Sequence, residues 1–468
     1  MQLKHVPAAV SAVFDDPNLV SAAGLVPVMR LAQAAGLGEL ARQRLTVPTD
    51  KGANAGAKVA SLVAGMVAGA DSIDDMNLLR HGGMRRLFGQ VYAPSTLGSF
   101  LRAFTFGHVR QLDAVASRFL AGLSQRAGIV PPVGGHGFTF VDLDDTIIEV
   151  HGYAKQGAGF GYSGVRGLNA LLATVSTAWS APVIVAQRLR RGAAGSPRGA
   201  ARIVGDALAT LRRLGGQRGR VLVRADSAFY GHATIGTAIK AGADVSVTVR
   251  MDPAVKRAIA AIDETAWTTI EYPDAVFDEP SGRWISRAEV AEVDFTAFSS
   301  RRKSEHITGR LIVRRIPDLN PNKAQQPTLF DTHRHHAFFT TVDRAVMDKV
   351  TADKTHRAHA IIEQVHADLK NGPLAHLPSG VFAANAAWLV LAAIAFNLTR
   401  TAAALADSGG RLRNATTATI RRTLIDVPAR LARSARRVRL HLPDAWPWQQ
   451  AFTRLFAIAH APPPLTSA

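Results

Sequence analysis

Three acidic residues set far apart in the chain define the chemistry this sequence can support: Asp144 in FTFVDLDDTIIEV, Asp226 in VLVRADSAFYG, and Glu363 inside HRAHAIIEQVHADLK. Carboxylates are hard oxygen ligands suited to one or two Mg²⁺ or Mn²⁺ ions, which activate water and stabilise a leaving oxygen during displacement at phosphorus. Within VDLDDT, side-chain alternation puts Asp142 and Asp144 on one face of a strand and Asp145 on the other. Three acids in four positions of an apolar strand carry a severe desolvation cost unless a cation compensates, which favours a metal role over a structural one. Asp226 follows a short apolar run and precedes turn-forming residues. It therefore stands at the carboxyl end of a strand, where ligand-binding groups gather in α/β sheets, although an Asp there also serves as a helix cap.

Around Glu363 the apolar period is helical. Positions His356, His359, Glu363, His366 and Lys370 form one stripe, and Ile362, Val365 and Leu369 form the opposing apolar one. Lys370 lies about two turns, roughly 10 Å, from Glu363, a spacing that suits a neighbouring phosphate. A zinc site built on His356 and His359 is the rival reading, and solvent or nucleic-acid contact is the favoured one. The Gly-rich stretch KQGAGFGYSGVRG offers Lys155, Tyr162 and Arg166 as strand contacts, while an ordinary hairpin connection explains its glycines equally well. Trp267 and Trp284 are candidates for stacking an extruded base, with core packing as the plainer role.

Two strand carboxylates and one helix carboxylate meet only through folding. Residues 1–130 lack strand alternation and read as a helical domain, with helix starts at Ser72 and Ser95. Inside it, RHGGMRRLFGQVYAPSTLGSFLRAF is compatible with either a helix-turn-helix, with Arg85, Arg86 and Arg102 near phosphates, or plain helical packing. A Gly/Pro-rich linker spans 128–137. Residues 131–265 then alternate a three-strand meander with helical and strand-like runs, which argues for an α/β domain. Residues 266–345 read as an inserted β module containing a Pro/Asn/Gln-rich loop, residues 346–405 return to helix carrying Glu363, and 406–468 form a basic helical region.

The 468 residues are 47% apolar, ample for sizeable cores. Lys and Arg total 55 against 36 Asp and Glu, a formal charge of +19 that favours polyanions. Between Arg411 and Arg439 nine arginines face a single acid, Asp426, a strong polyanion footprint. The absence of cysteine excludes disulfides, thiolate zinc sites and a Cys nucleophile. The amino-terminal residues are unlike a signal peptide, so export is not expected, and a reducing cytoplasm is compatible with the sequence. The apolar run from Val381 to Leu398 is expected to be a buried core helix rather than a membrane span.

Taken together, VDLDDTIIEVHGYAKQGAGFGYSGVRG, VLVRADSAFYG and HRAHAIIEQVHADLKNGPLAHLPSGVFAANAAWLVLAAIAFNL resemble the signature blocks of DDE transposases of bacterial insertion sequences, specifically the insertion sequence 1380 family. The resemblance implies an RNase H-like catalytic domain with an inserted β module, in which Asp144, Asp226 and Glu363 bind two Mg²⁺ or Mn²⁺ ions. It implies cut-and-paste transposition: cleavage at the ends of the element, then attack of the freed 3′-hydroxyl on target DNA. It also implies a homodimer, because two ends are held at once. The related group carries a Tyr and an Arg where this chain has His356 and His359, and Arg357 is the candidate substitute for gripping the phosphate. Two other functions compete: a metal-dependent nuclease without strand transfer, and a transposase-derived DNA-binding protein that no longer cuts.

Overall fold

A computed structural model describes residues 11–131, 133–134, 137–215, 219–278, 282–317, 333–407, 410–435 and 437–461. The expected loop at 318–331, residue Arg436 and parts of the 128–137 linker lie outside these residues. At the centre is a ten-stranded mixed sheet. Its first strands are β1 (Phe138–Glu149), β2 (Arg166–Thr177), β3 (Ser180–Arg191), β4 (Arg220–Ala225) and β5 (Asp244–Thr248). The rest are β6 (Thr268–Asp278), β7 (Arg283–Ala297), β8 (Ile307–Pro317) and β9 (His333–Thr340), with the two-residue strand Gly159–Phe160 also on β2.

The expected meander forms: β1, β2 and β3 pair antiparallel in sequence. β4 lies parallel to β1, and β5 parallel to β4, so the spatial order is β3-β2-β1-β4-β5. Two helices supply the crossovers, α1 (Ala200–Arg213) before β4 and α2 (His232–Lys240) before β5. β2 is buried along nearly its whole length, as its largely apolar run LNALLATV, interrupted only by Asn169 and Thr174, requires of a strand covered on both faces.

The β-rich stretch after β5 extends this same sheet. β9 returns to pair antiparallel with β5, and β8, β7 and β6 follow outward. It shares a core with the centre: Phe138 and Leu222 pack with Val290, Ile312, Phe338 and Met347. The third-acid region is then two helices, α3 (Lys349–Arg357) and α4 (Ile361–Lys370), joined by the tight turn Ala358–Ala360.

Helix α5 (Phe382–Ala406) is long and apolar enough to cross a membrane, but 89% of its most apolar window is buried inside the fold. It packs on β3 and on the amino-terminal helices Ala55–Val67 and Phe106–Ala127. Its two asparagines are satisfied within the fold. Asn397 accepts from Ile184 N–H (2.8 Å) and donates to Ile184 C=O (2.7 Å), beside the bulge in β3, while Asn385 does the same for Ser379.

The amino-terminal region is largely helical. Ser72 exchanges hydrogen bonds with Asp75 at the start of a short 3₁₀ turn, whereas the helix expected from Ser95 starts at Pro94, where a missing N–H costs nothing. The carboxyl-terminal region departs from the helical expectation. Ala429–Ser434 and Arg437–His441 form a two-stranded ribbon that pairs with Leu19–Val20, and one helix, Gln449–His460, follows. Arginine-rich sequence masks its strand character, because alternation is hard to see when both faces carry charge.

Candidate active site

The register of β1 against β4 sets Leu143 beside Ala225, so the chain leaves β4 at Asp226 next to Asp144 on β1. Asp226 Oδ1 accepts from Ala228 N–H (3.0 Å) and caps the turn Ser227–Phe229, so the capping role read from the sequence is real and sits at the site. Helix α4 crosses β1 from the other side of the chain. His366 Nε2 lies 3.5 Å from Asp144 Oδ2, and Lys370 Nζ lies 3.5 Å from Thr146 Oγ1. Glu363 is exposed one turn before His366. The buried Ile362, Val365 and Leu369 seat the helix, as their spacing predicts.

Asp144 is the electrostatically loaded member of the group. Burial pushes its carboxyl up to about 7; the Asp145 N–H on Oδ1 (2.7 Å) opposes this, and the charges of Asp226, Asp145 and Glu363 add to it. Asp226 is likewise raised by burial, with the Ala228 N–H opposing and the charge of Asp145 adding. His366 is held down to about 4 by burial and by Lys370, against the pull of Asp144. Its imidazole is therefore neutral near pH 7, and its buried Nε2 has no hydrogen-bond partner among the described residues.

The flanking acids behave differently, which corrects the argument that all three acids of VDLDDT need a metal. Asp142 is fully buried and clasped by Arg224 through two bonds (Nε–Oδ1 2.6 Å, Nη2–Oδ2 2.8 Å). Burial pushes its carboxyl up and the guanidinium pulls it back. Arg224 also donates to Thr355 C=O (2.6 Å) and lies over the Phe140 ring (4.2 Å), tying α3 to β1 and β4. On the opposite face Asp145 accepts from Arg190, from Asn169 Nδ2 (2.9 Å) and from Ser196 Oγ (3.1 Å). Arg190 in turn donates to the carbonyls of Ser196 and Arg198. Sequence reasoning missed both arginines. An Arg alternating with apolar residues in a strand beside an acidic one is the signal that marks them.

Several expected DNA-contacting residues are engaged by the fold. His356 is buried, bonded to Ser246 Oγ (2.8 Å) and Thr248 Oγ1 (2.9 Å), and stacked on Phe338 at 4.1 Å. The break at Ala358–Ala360 rotates it off the Glu363 stripe and into the core. Arg357 is paired with Asp353 (2.8 Å) and lies over Tyr272, and Lys155 donates to the carbonyls of Leu377 (2.5 Å) and Ser379. Arg166 donates to Gly152 C=O and covers the Tyr153 ring. His359 bonds its neighbour's carbonyl (His356 O, 2.7 Å), and its charge acts on Asp142 and Asp226. Tyr162 is exposed, and partial burial first, then the charges of Asp145, Asp144 and Asp226, push the pKa of its hydroxyl up. Among the expected contacts, Tyr162, His359 and Lys370 are the ones beside the site.

The glycines of the Gly-rich stretch serve close backbone packing. A Cβ on Gly167 would stand 2.3 Å from Ile148 O, and one on Gly161 2.8 Å from Gly192 O. Trp267 packs under the Arg315 guanidinium (4.2 Å), while Trp284 is exposed beside Phe277. In the helix-turn-helix candidate, Arg85 donates to Arg80 C=O and Arg86 to Asn18 Oδ1, both contacts within the fold. Among the described residues no three His, Asp or Glu side chains stand close enough to grip an ion as they are.

The sequence matches the family described as transposase DDE domain, group 1, over residues 4–463. The chain belongs to that family. Membership supports a DNA-processing transposase and implies DNA binding. Comparison with curated proteins finds no match.

Proposed function

We propose that this chain is a transposase of the insertion sequence 1380 type, cleaving at insertion-sequence ends and joining the freed 3′-hydroxyl to target DNA. Asp144, Asp226 and Glu363 are its catalytic acids. The observation that carries the proposal is the β1–β4 register, which makes Asp144 and Asp226 neighbours, with the Glu363 helix laid across β1. The strand order β3-β2-β1-β4-β5, antiparallel then parallel, is in keeping with the RNase H-like domain that the resemblance implies.

The donor set fits a hard divalent cation. It is all oxygen, and Asp144, raised first by burial and then by like charges, has no arginine of its own among the described residues, whereas Asp142 and Asp145 each have one. Asp144, Asp226 and Glu363 would hold Mg²⁺ or Mn²⁺, which when bound supplies Lewis-acid stabilisation of the attacking and leaving oxygens. The protein's own part is positional. Parallel strands fix two carboxylates, α4 brings the third, and Lys370 offers an exposed point charge for a neighbouring phosphate.

The layout that goes with this is an amino-terminal helical domain for DNA (1–130), a catalytic domain interrupted at 266–345, and a basic carboxyl-terminal region, acting as a homodimer on two ends in the bacterial cytoplasm. The test uses labelled DNA carrying the sequences that flank the gene. Joined product supports transposition, cleavage alone supports a nuclease, and a mobility shift without cutting supports a binding protein. Asp226→Asn is expected to abolish cleavage while end binding persists; unchanged cleavage removes Asp226 from the chemistry.

A further inference from the structure

The two-stranded ribbon Ala429–Ser434/Arg437–His441 has a shape and charge that the active site does not use. Its register pairs Arg430 with His441, Ala432 with Arg439 and Ser434 with Arg437 on one face, and Leu431 with Leu440 and Arg433 with Val438 on the other. Leu431 is buried and Leu440 packs on the core, so the base of the second face is anchored. Beyond that leucine pair both faces are exposed: Arg433, Ser434, Arg437 and Val438 all face solvent. The tip therefore projects free of the body.

Its arginines are available. Arg430, at the base, is held by Asp16 (3.1 Å), but Arg433, Arg437 and Arg439 have no acidic partner among the described residues. Small residues, Ser434 and Ala432, lie directly across the ladder from Arg437 and Arg439, so neither guanidinium is hemmed in by a bulky cross-strand neighbour. The free tip is about three ladder positions long, roughly 7 Å at the strand rise. The major groove of B-form DNA, about 12 Å wide and 8.5 Å deep, admits a two-stranded ribbon of this size.

We propose that this ribbon is a DNA-reading element that enters the major groove of duplex DNA, with Arg437 and Arg439 directed to base edges and phosphates on one side and Arg433 to the opposite wall. The occupant is DNA rather than an anionic membrane because, among the described residues, the tip carries three arginines without an acidic partner and, besides two alanines, one larger apolar side chain, Val438, too little to bury in a bilayer interface. It rests on the proposed function only in that the chain acts on DNA.

The test measures binding of the full chain to a labelled random-sequence DNA duplex, to an RNA duplex of the same sequence, and to vesicles of phosphatidylcholine with phosphatidylglycerol. Arg437→Ser/Arg439→Ser is compared with each single substitution, and thermal unfolding checks that every variant folds. The double variant is expected to bind DNA at least about tenfold more weakly, with a log affinity versus log salt slope shallower by about 2. Methylation at guanine N7, which lies in the major groove, is expected to interfere with binding by the unsubstituted chain and to lose that effect in the variant. Equal binding of duplex RNA, whose major groove is too narrow to enter, overturns the groove assignment. So does DNA binding unchanged by the substitutions, or an arginine-dependent affinity for vesicles alone. If the unsubstituted chain cleaves end DNA while the ribbon variants bind and cut normally, only this inference falls; if it binds no DNA at all, the proposed function falls with it.

Discussion

At the scale of single residues, the acidic run on β1 divides into one loaded carboxylate and two satisfied ones. Asp142 and Arg224 are both nearly inaccessible, so breaking the pair strands a buried charge. Arg224→Met is expected to destabilise the protein by about 3–5 kcal/mol in urea unfolding, and Asp142→Leu added to it to recover part of that loss. No recovery in the double variant would mean that Arg224 acts mainly through Thr355 and Phe140. His356 gives a pH signature. Burial, with the charges of His359, Arg224 and Arg314, holds its folded-state pKa well below 6.5, so the unfolded chain binds the proton first as pH falls. Stability from this group is complete above the unfolded value of about 6.5 and is lost as pH drops through it toward the folded one. Urea midpoints measured from pH 7.5 down to 5 should fall in the wild type and fall less in His356→Phe; parallel curves would refute the assignment. None of these partnerships was visible in the local sequence, because Asp142 and Arg224 are 82 positions apart and Asp145 and Arg190 are 45 apart.

At the scale of elements, α5 is the beam on which β3 and the amino-terminal helices are assembled, and Asn397 is its fixed point. Replacing it by Leu leaves the N–H and C=O of Ile184 buried without partners. A loss of about 2–5 kcal/mol in urea unfolding is expected, against a small effect for an exposed change such as Lys370→Gln. An Asn397→Leu variant as stable as the wild type would show that water or a shifted strand satisfies Ile184 instead. The meander and the crossover helices were legible in sequence from their apolar patterns, and α5 from its length and near-continuous apolar composition. The break between α3 and α4 was not, since HRAHAIIEQVHADLK continues a helical pattern through Ala358–Ala360 while tertiary contacts of His356 turn the chain. The carboxyl-terminal ribbon escaped for the opposite reason: its charges hide the alternation.

At the scale of the whole molecule, three acids separated by more than two hundred residues are carried to one region by a single continuous sheet and the helix across it. If that region takes a divalent cation, Mn²⁺ should raise the unfolding temperature of the full chain, by an amount equivalent to about 2.7 kcal/mol at a hundred times Kd, and Asp144→Asn should abolish the shift. An equal shift in both proteins would place the cation elsewhere. What the sequence alone determined was the inventory and the local periods: which residues are acids, which runs are strands or helices, and the family they resemble. Those follow from short-range sterics and hydrophobic patterning, which act over a few residues at a time. Only the tertiary structure decided which acids are neutralised by buried arginines, that His356 faces inward, that the β-rich stretch extends the central sheet, and that a basic ribbon projects from the surface. Each of these depends on which distant side chain arrives to fill a desolvated position, and long-range packing sets that choice.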